Sequence, residues 1–252
     1  MSARPGRFAP GGIALVLGAI LAVAASLACT PDVTEERGEA DGATAVEIVT
    51  EDGVTLDGRL WERGSERLVI YLHEFREDQS SWWPTAEQRD SGAVSAMTFD
   101  FRGHGASEGE LDDVTGMTRD VHAAIEFARE RGFKRIMLVG AGMGAAVGLV
   151  AAAEDPSVTV VGFSTPADFD EIDALTAAGV ADGRVQLIAT RDDISAADSL
   201  HQFRALDNID TTEARLYPGG SHGVAVLEGR AGADIRARFE ELLDEFWVAP
   251  AS

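Results

Sequence analysis

From about residue 44 the chain alternates between short apolar runs and stretches in which apolar residues recur every three or four positions. Leu68 to Leu72 and Val94 to Phe99 are continuous runs, as are Ile136 to Val139, Val158 to Phe163 and Val185 to Ile188. Runs of this length without polar alternation are expected of strands covered on both faces of a parallel sheet. Val46 to Val49 and Val54 to Trp61 flank Glu51-Asp52-Gly53, a turn signal that predicts an antiparallel hairpin. Between the runs, Val121, Ala124, Ile125 and Ala128 share one helical face, and Gly132 is placed to cap its end. Ile235, Phe239, Leu242, Leu243 and Phe246 form a last amphipathic helix. An antiparallel pair followed by alternating strand and helix predicts an α/β fold: an open, mostly parallel sheet with helices on both faces. Sites in such sheets lie beyond the C-terminal ends of the strands.

The first 28 residues have a different pattern. Arg4 and Arg7 precede an uncharged, mostly apolar run from Gly11 to Ala28, which ends in Ser26-Leu27-Ala28-Cys29. A cleaved signal peptide has this shape, and a run of about 18 apolar residues is also just long enough for a membrane anchor. Cys29 is the only cysteine of the chain. Its place at the end of the run, after a small residue, resembles a bacterial lipobox, with Ser26 where leucine is usual. The resemblance implies a signal peptide over 1–28, lipidation at Cys29, an acidic tether over 29–43 and a folded domain over 44–250. The protein is then expected in the cell envelope, lipid-anchored outside the cytoplasm.

Charge narrows the partners. The chain carries −22 overall, and removing residues 1–28 takes away two arginines and no acid, which leaves −24. Such a field repels nucleic acid and anionic head groups, so no nucleic-acid partner is expected. A lone cysteine rules out an internal disulfide, so the exported domain must stand on its hydrophobic core. No Walker-type loop, metal site or cofactor motif is present, and none is expected.

Four stretches at the strand ends carry the chemistry. Tyr71-Leu72-His73-Glu74-Phe75 closes one strand, and Asp100-Phe101-Arg102-Gly103-His104-Gly105-Ala106-Ser107 follows the next. Gly140-Ala141-Gly142-Met143-Gly144 links a strand to the small-residue helix that begins Ala145-Ala146-Val147-Gly148. Asp192 and Asp193 end a later strand, and His222 sits in Pro218-Gly219-Gly220-Ser221-His222-Gly223. In type and order these resemble the α/β-hydrolase superfamily, over about residues 44 to 248, with the cap-less, dienelactone-hydrolase-like and esterase-like members nearest. Asp168 to Asp182, where many relatives insert a lid, is too short for more than a helix.

The resemblance implies a role for each stretch. Backbone amides of Glu74, Phe75 and Met143 would form the oxyanion hole. Glu74 replaces a glycine there, as in dienelactone hydrolases, where that glutamate helps control a cysteine nucleophile. His73 reads as a structural loop histidine. The D-x-R-G-x-G-x-S turn marks the fold, and its Ser107 lacks the strand-to-helix elbow that presents a nucleophile. That elbow is G-x-S-x-G, and here its serine position holds Gly142. Asp192 is the expected acid, with Asp193 the near alternative, and His222 the base. A Gly-rich phosphate loop is a weaker reading of 140–144, because the Walker lysine and the G-x-G-x-x-G spacing are missing.

Three functions fit. One is a degenerate, non-catalytic serine hydrolase that keeps a pocket for a small-molecule ligand or ester. Another is a non-standard ester or lactone hydrolase in which the His–Asp pair activates water. The third is an envelope module that binds a protein partner, unnamed by the sequence, through its acidic surface.

Overall fold

The computed structural model describes residues 40–88, 94–181, 185–209 and 213–248. Cys29 and the whole apolar leader lie outside them. Among the described residues no helix is long and apolar enough to cross a membrane.

Among the described residues eight strands form one sheet. In chain order they are β1 (Thr44–Val49), β2 (Thr55–Trp61), β3 (Arg67–Leu72), β4 (Ser95–Phe99), β5 (Arg135–Ala141), β6 (Val158–Phe163), β7 (Val185–Thr190) and β8 (Ala214–Tyr217). Their spatial order is β1-β2-β4-β3-β5-β6-β7-β8. β2 runs antiparallel to both β1 and β4, and every pairing from β4 through β8 is parallel. The hairpin expected around Glu51-Asp52-Gly53 is present, with Gly53 at a φ of 85°.

The continuous apolar runs are strands because both faces are covered. In β3, Leu68, Ile70 and Leu72 enter one core while Val69 and Tyr71 enter the other. In β5, Ile136 and Leu138 are divided in the same way from Met137, Val139 and Ala141. This is the period-2 division of a pleated strand between two helix layers. Helices α2 (Gly116–Glu130), α3 (Met143–Glu154), α4 (Ala174–Val180) and α5 (Ile194–Phe203) cover the first face. The short α1 (Trp83–Glu87) and the C-terminal α6 (Gly232–Val248) cover the second. α2 buries the stripe read from the sequence, and Gly132, at a φ of 88°, closes it as expected. Its N–H reaches Arg129 O and the Phe133 N–H reaches Ala128 O, the paired bonds of a Schellman cap. Among the described residues between β6 and β7 there is one helix, α4, and no lid domain.

Candidate active site

The expected site residues lie at the C-terminal ends of the parallel strands, as the fold requires. Gly142 sits between β5 and α3 with φ 50° and ψ −121°, angles that a residue with a side chain adopts only under strain. Its N–H donates to Phe163 O at 2.9 Å, and its carbonyl accepts the Ala145 and Ala146 N–H groups at 3.1 and 3.2 Å. This is the sharp strand-to-helix turn expected around position 142. The flanking glycines serve a different need. A Cβ at Gly140 would lie 2.4 Å from Ala145 N, and one at Gly144 would lie 2.5 Å from both His73 O and Leu72 O. Gly140 lets the start of α3 press against the end of β5, and Gly144 lets it press against the end of β3. Met143 opens α3, so its N–H is among the first-turn amides that a helix cannot satisfy internally.

The loop after β3 is fixed by His73. It is fully buried, and burial pushes its pKa down to about 4. Nδ1 lies 2.7 Å from Glu74 O, and Nε2 accepts the Phe101 N–H at 3.0 Å. A neutral imidazole thus ties this loop to the one after β4, the structural part expected of it. Ser107 is also structural: its hydroxyl donates to Asp100 O at 2.5 Å and accepts the Asp57 N–H at 2.9 Å. The Asp100 carboxylate holds the same turn through the Gln79 and Ala106 N–H groups, both at 2.8 Å.

Of the two aspartates offered by the sequence, Asp192 and its near alternative Asp193, it is Asp193 that pairs with the histidine. His222 Nδ1 lies 2.6 Å from Asp193 Oδ2. Asp192 is exposed; its N–H donates to Gly219 O at 2.7 Å and its Cβ packs against Gly220. The reason is helix capping. Asp193 is the N-cap of α5, accepting the Ala196 N–H at 3.4 Å and the Ser195 hydroxyl at 3.2 Å through Oδ1. That geometry turns its second oxygen toward His222. The Asp193 side chain is 8 % exposed and the imidazole 48 %.

The histidine loop after β8 is tied at two points. Thr190 Oγ1 donates to Ser221 O at 2.7 Å, and the Gly223 N–H donates to Ser164 Oγ at 3.0 Å. Ser164, buried at the end of β6, takes a φ of 50° to reach it. Sequence reading missed this residue, whose positive φ nothing in Phe163-Ser164-Thr165 announces.

Glu74, singled out in the sequence both for its backbone amide and for a glutamate in place of the usual glycine, sends its carboxylate over Gly142 and beside His222. Oε2 is 3.5 Å from His222 Nε2, and Oε1 accepts the Val224 N–H at 3.3 Å. Burial raises its pKa, against the lowering influence of His222 and that N–H. The signal available in sequence was the pairing of a missing serine with a glutamate in place of the usual loop glycine.

These groups border a cavity of about 190 Å3, lined by Glu74, Phe75, Gly142, Met143, Ser164, Phe169 and His222, among others. The three residues expected to supply oxyanion-hole amides all line it. Phe169, from the segment before α4, stacks edge-on against Phe75 with ring centroids 5.5 Å apart. A groove of about 660 Å3 between β1 and α2 is larger. It lies at the outer edge of the sheet and holds none of the expected site residues. Among the described residues no three of His, Cys, Asp and Glu are grouped to hold a metal ion.

Sheet order, elbow and His–Asp pair together define an α/β-hydrolase-fold protein. Within it, residues 65–178 match the family described as serine aminopeptidase, S33. No curated protein matches the chain by sequence. Among solved structures, an esterase of Pyrococcus furiosus is similar, with a TM-score of 0.62 and 20 % identity over 81 % of this chain and 88 % of that one. The α/β hydrolase GrgF of a Penicillium species gives 0.67 and 18 %, over 81 and 97 %. Mouse α/β hydrolase domain-containing protein 10 gives 0.63 and 15 %, over 81 and 99 %. At these identities the likeness speaks for the fold.

Proposed function

We propose that this chain is a lipid-tethered envelope protein that keeps the hydrolase scaffold and its strand-end cavity for a small ligand but has given up acyl-transfer catalysis. The observation that carries this reading is Gly142: the elbow turns as a nucleophile elbow does, and its apex bears no attacking atom. A triad works as a unit, and its remaining members add little alone. The purified protein should hydrolyse activated esters at background rate, take no label from a serine-directed phosphonate, and change little on His222→Ala. A clear loss of ester hydrolysis in that variant would overturn the reading. It would favour the second one, direct activation of water, for which the 2.6 Å His222–Asp193 pairing is the supporting observation. General-base help of that kind is worth about 10²–10⁴-fold.

The envelope part of the proposal rests on the sequence around Cys29. The protein should incorporate labelled fatty acid and sediment with membranes, and Cys29→Ala should lose the label. Unlabelled wild-type protein free in the extracytoplasmic fluid would disprove the anchor.

A further inference from the structure

We infer that Glu74 is the built-in occupant of the empty nucleophile slot, so that the site is a latent serine esterase held off at two positions, 74 and 142. This rests on the reading that acyl transfer has been lost, and it adds what replaced the serine.

The carboxylate is seated rather than passing by. A Cβ at Gly142 would lie 3.2 Å from Glu74 Cγ and 3.4 Å from both Cδ and Oε2. A serine hydroxyl, one bond further out, would compete with the glutamate for the same space. On the other side, a Cβ at Gly223 would fall 1.1 Å from Oε1. The carboxylate therefore takes the room of a side chain at Gly223, a position already held at a φ of 54°. The Val224 N–H donates to it from the same loop. Two glycines and one amide form a cradle shaped to this group.

Its second effect is on His222. Acyl transfer needs Nε2 as an acceptor facing the serine hydroxyl while Nδ1 donates to the acid. Here Nε2 faces a carboxyl group at 3.5 Å. An ionised carboxylate only accepts hydrogen bonds, and a protonated one donates through its O–H. Whatever its protonation state, the carboxyl group fills the space beside Nε2 through which the serine proton would have to arrive. The rest of the machinery is in place: the elbow angles, the first-turn amide of Met143, and Asp193 on Nδ1.

Restoring the serine and removing the carboxylate should therefore restore the reaction. Serine Oγ would bond to the ester carbon as its proton passes to His222 Nε2. The C–O bond to the alcohol would then break, with that proton going to the departing oxygen. Water, deprotonated by the same nitrogen, would attack the acyl carbon, and the bond from that carbon to Oγ would break with the proton returning from Nε2 to the serine oxygen.

The experiment compares four full-length proteins, wild type, Gly142→Ser, Glu74→Ala and the double variant, by fluorophosphonate labelling and p-nitrophenyl acetate hydrolysis. Only the double variant should label strongly, and its turnover should exceed that of Gly142→Ser by about 10²-fold or more, the scale of a freed general base. Equal activity in Gly142→Ser and the double variant would overturn the inference, as would a double variant that is inactive at a wild-type denaturation midpoint. Should the strained serine prevent folding, Glu74→Ala alone still decides. Acetate should enter its vacated cradle and shift the His222 imidazole resonance, with no such shift in wild type. A Glu74→Ala protein that ignores acetate would overturn the inference. Labelling of wild type would overturn the parent reading instead, since no residue at 142 could carry it.

Discussion

Arg102→Leu should lower the stability of the domain by about 3–5 kcal/mol, the usual cost of leaving a buried charge without its partner. Arg102 is 1 % exposed, and its guanidinium is shared among three carboxylates. Nε and Nη2 reach Asp120 Oδ1 at 2.9 and 2.7 Å, and Nη1 reaches Asp52 at 2.9 Å and Asp113 at 2.5 Å. One side chain thereby joins the β1–β2 turn, the loop after β4 and helix α2. Asp120, fully buried, is the partner left behind; its second oxygen also holds the Arg102 N–H at 2.9 Å. Burial already raises its pKa against the pull of Arg102, so in the variant Asp120 should take up a proton, which limits the loss. Removing both charges in Arg102→Leu/Asp120→Leu should recover part of the stability. A denaturant midpoint within about 0.5 kcal/mol of wild type, the range of neutral surface changes, would show that the cluster is not a clamp.

The same cluster sets a pH dependence. The hydrogen bond from Arg102 holds the Asp52 carboxyl well below the ordinary carboxylate range, with help from Thr50. A depressed folded pKa means stability that is present above the unfolded value, about 4, and lost as pH falls through the folded one. Asp120 acts in the opposite sense, since burial holds its pKa above the usual value. The gap between wild type and Arg102→Leu should therefore narrow as pH drops below about 4.

The strands buried on both faces were legible because nothing polar interrupts Leu68–Leu72 or Ile136–Val139. β8 was not. It is an edge strand, and of Ala214–Tyr217 only Ala214 is buried, so no apolar run marks it. α3 shows no helical stripe because it is buried almost all round. It was placed by the strand and glycines before it rather than by periodicity. The sequence left Asp192 and Asp193 both open as the partner of His222, although a cue to choose was present: an Asp directly before a helix start prefers the N-cap, and in Asp192-Asp193-Ile194 that is the second. For Glu74 the residue was legible but the placement of its carboxylate was not. Its side chain is directed by room left at Gly142 and Gly223, residues distant in sequence that meet it only in the fold.

Gly142→Ala should cost about 1–3 kcal/mol, the range for a non-glycine residue held at unfavourable backbone angles. If 142 were an ordinary helical position, the same change would stabilise by up to about 1 kcal/mol. Two causes act together and can be separated. The backbone term belongs to φ 50° and ψ −121° and should persist in any background. The contact term comes from Glu74 Cγ at 3.2 Å, a side chain that can shift, and should vanish once Glu74 is alanine. A cycle of wild type, Gly142→Ala, Glu74→Ala and the double variant, read by denaturant midpoint, should show a smaller penalty at 142 in the Glu74→Ala background, without loss of the whole. Gly144→Ala is the comparison. Its Cβ would meet His73 O and Leu72 O at 2.5 Å, and backbone of a buried strand end cannot turn aside as a glutamate can. Overpacking there should cost at least as much as the change at 142 and should not depend on Glu74. If instead the whole Gly142 penalty disappeared with Glu74, the elbow would carry no strain of its own, and glycine would be at 142 to make room for the carboxylate.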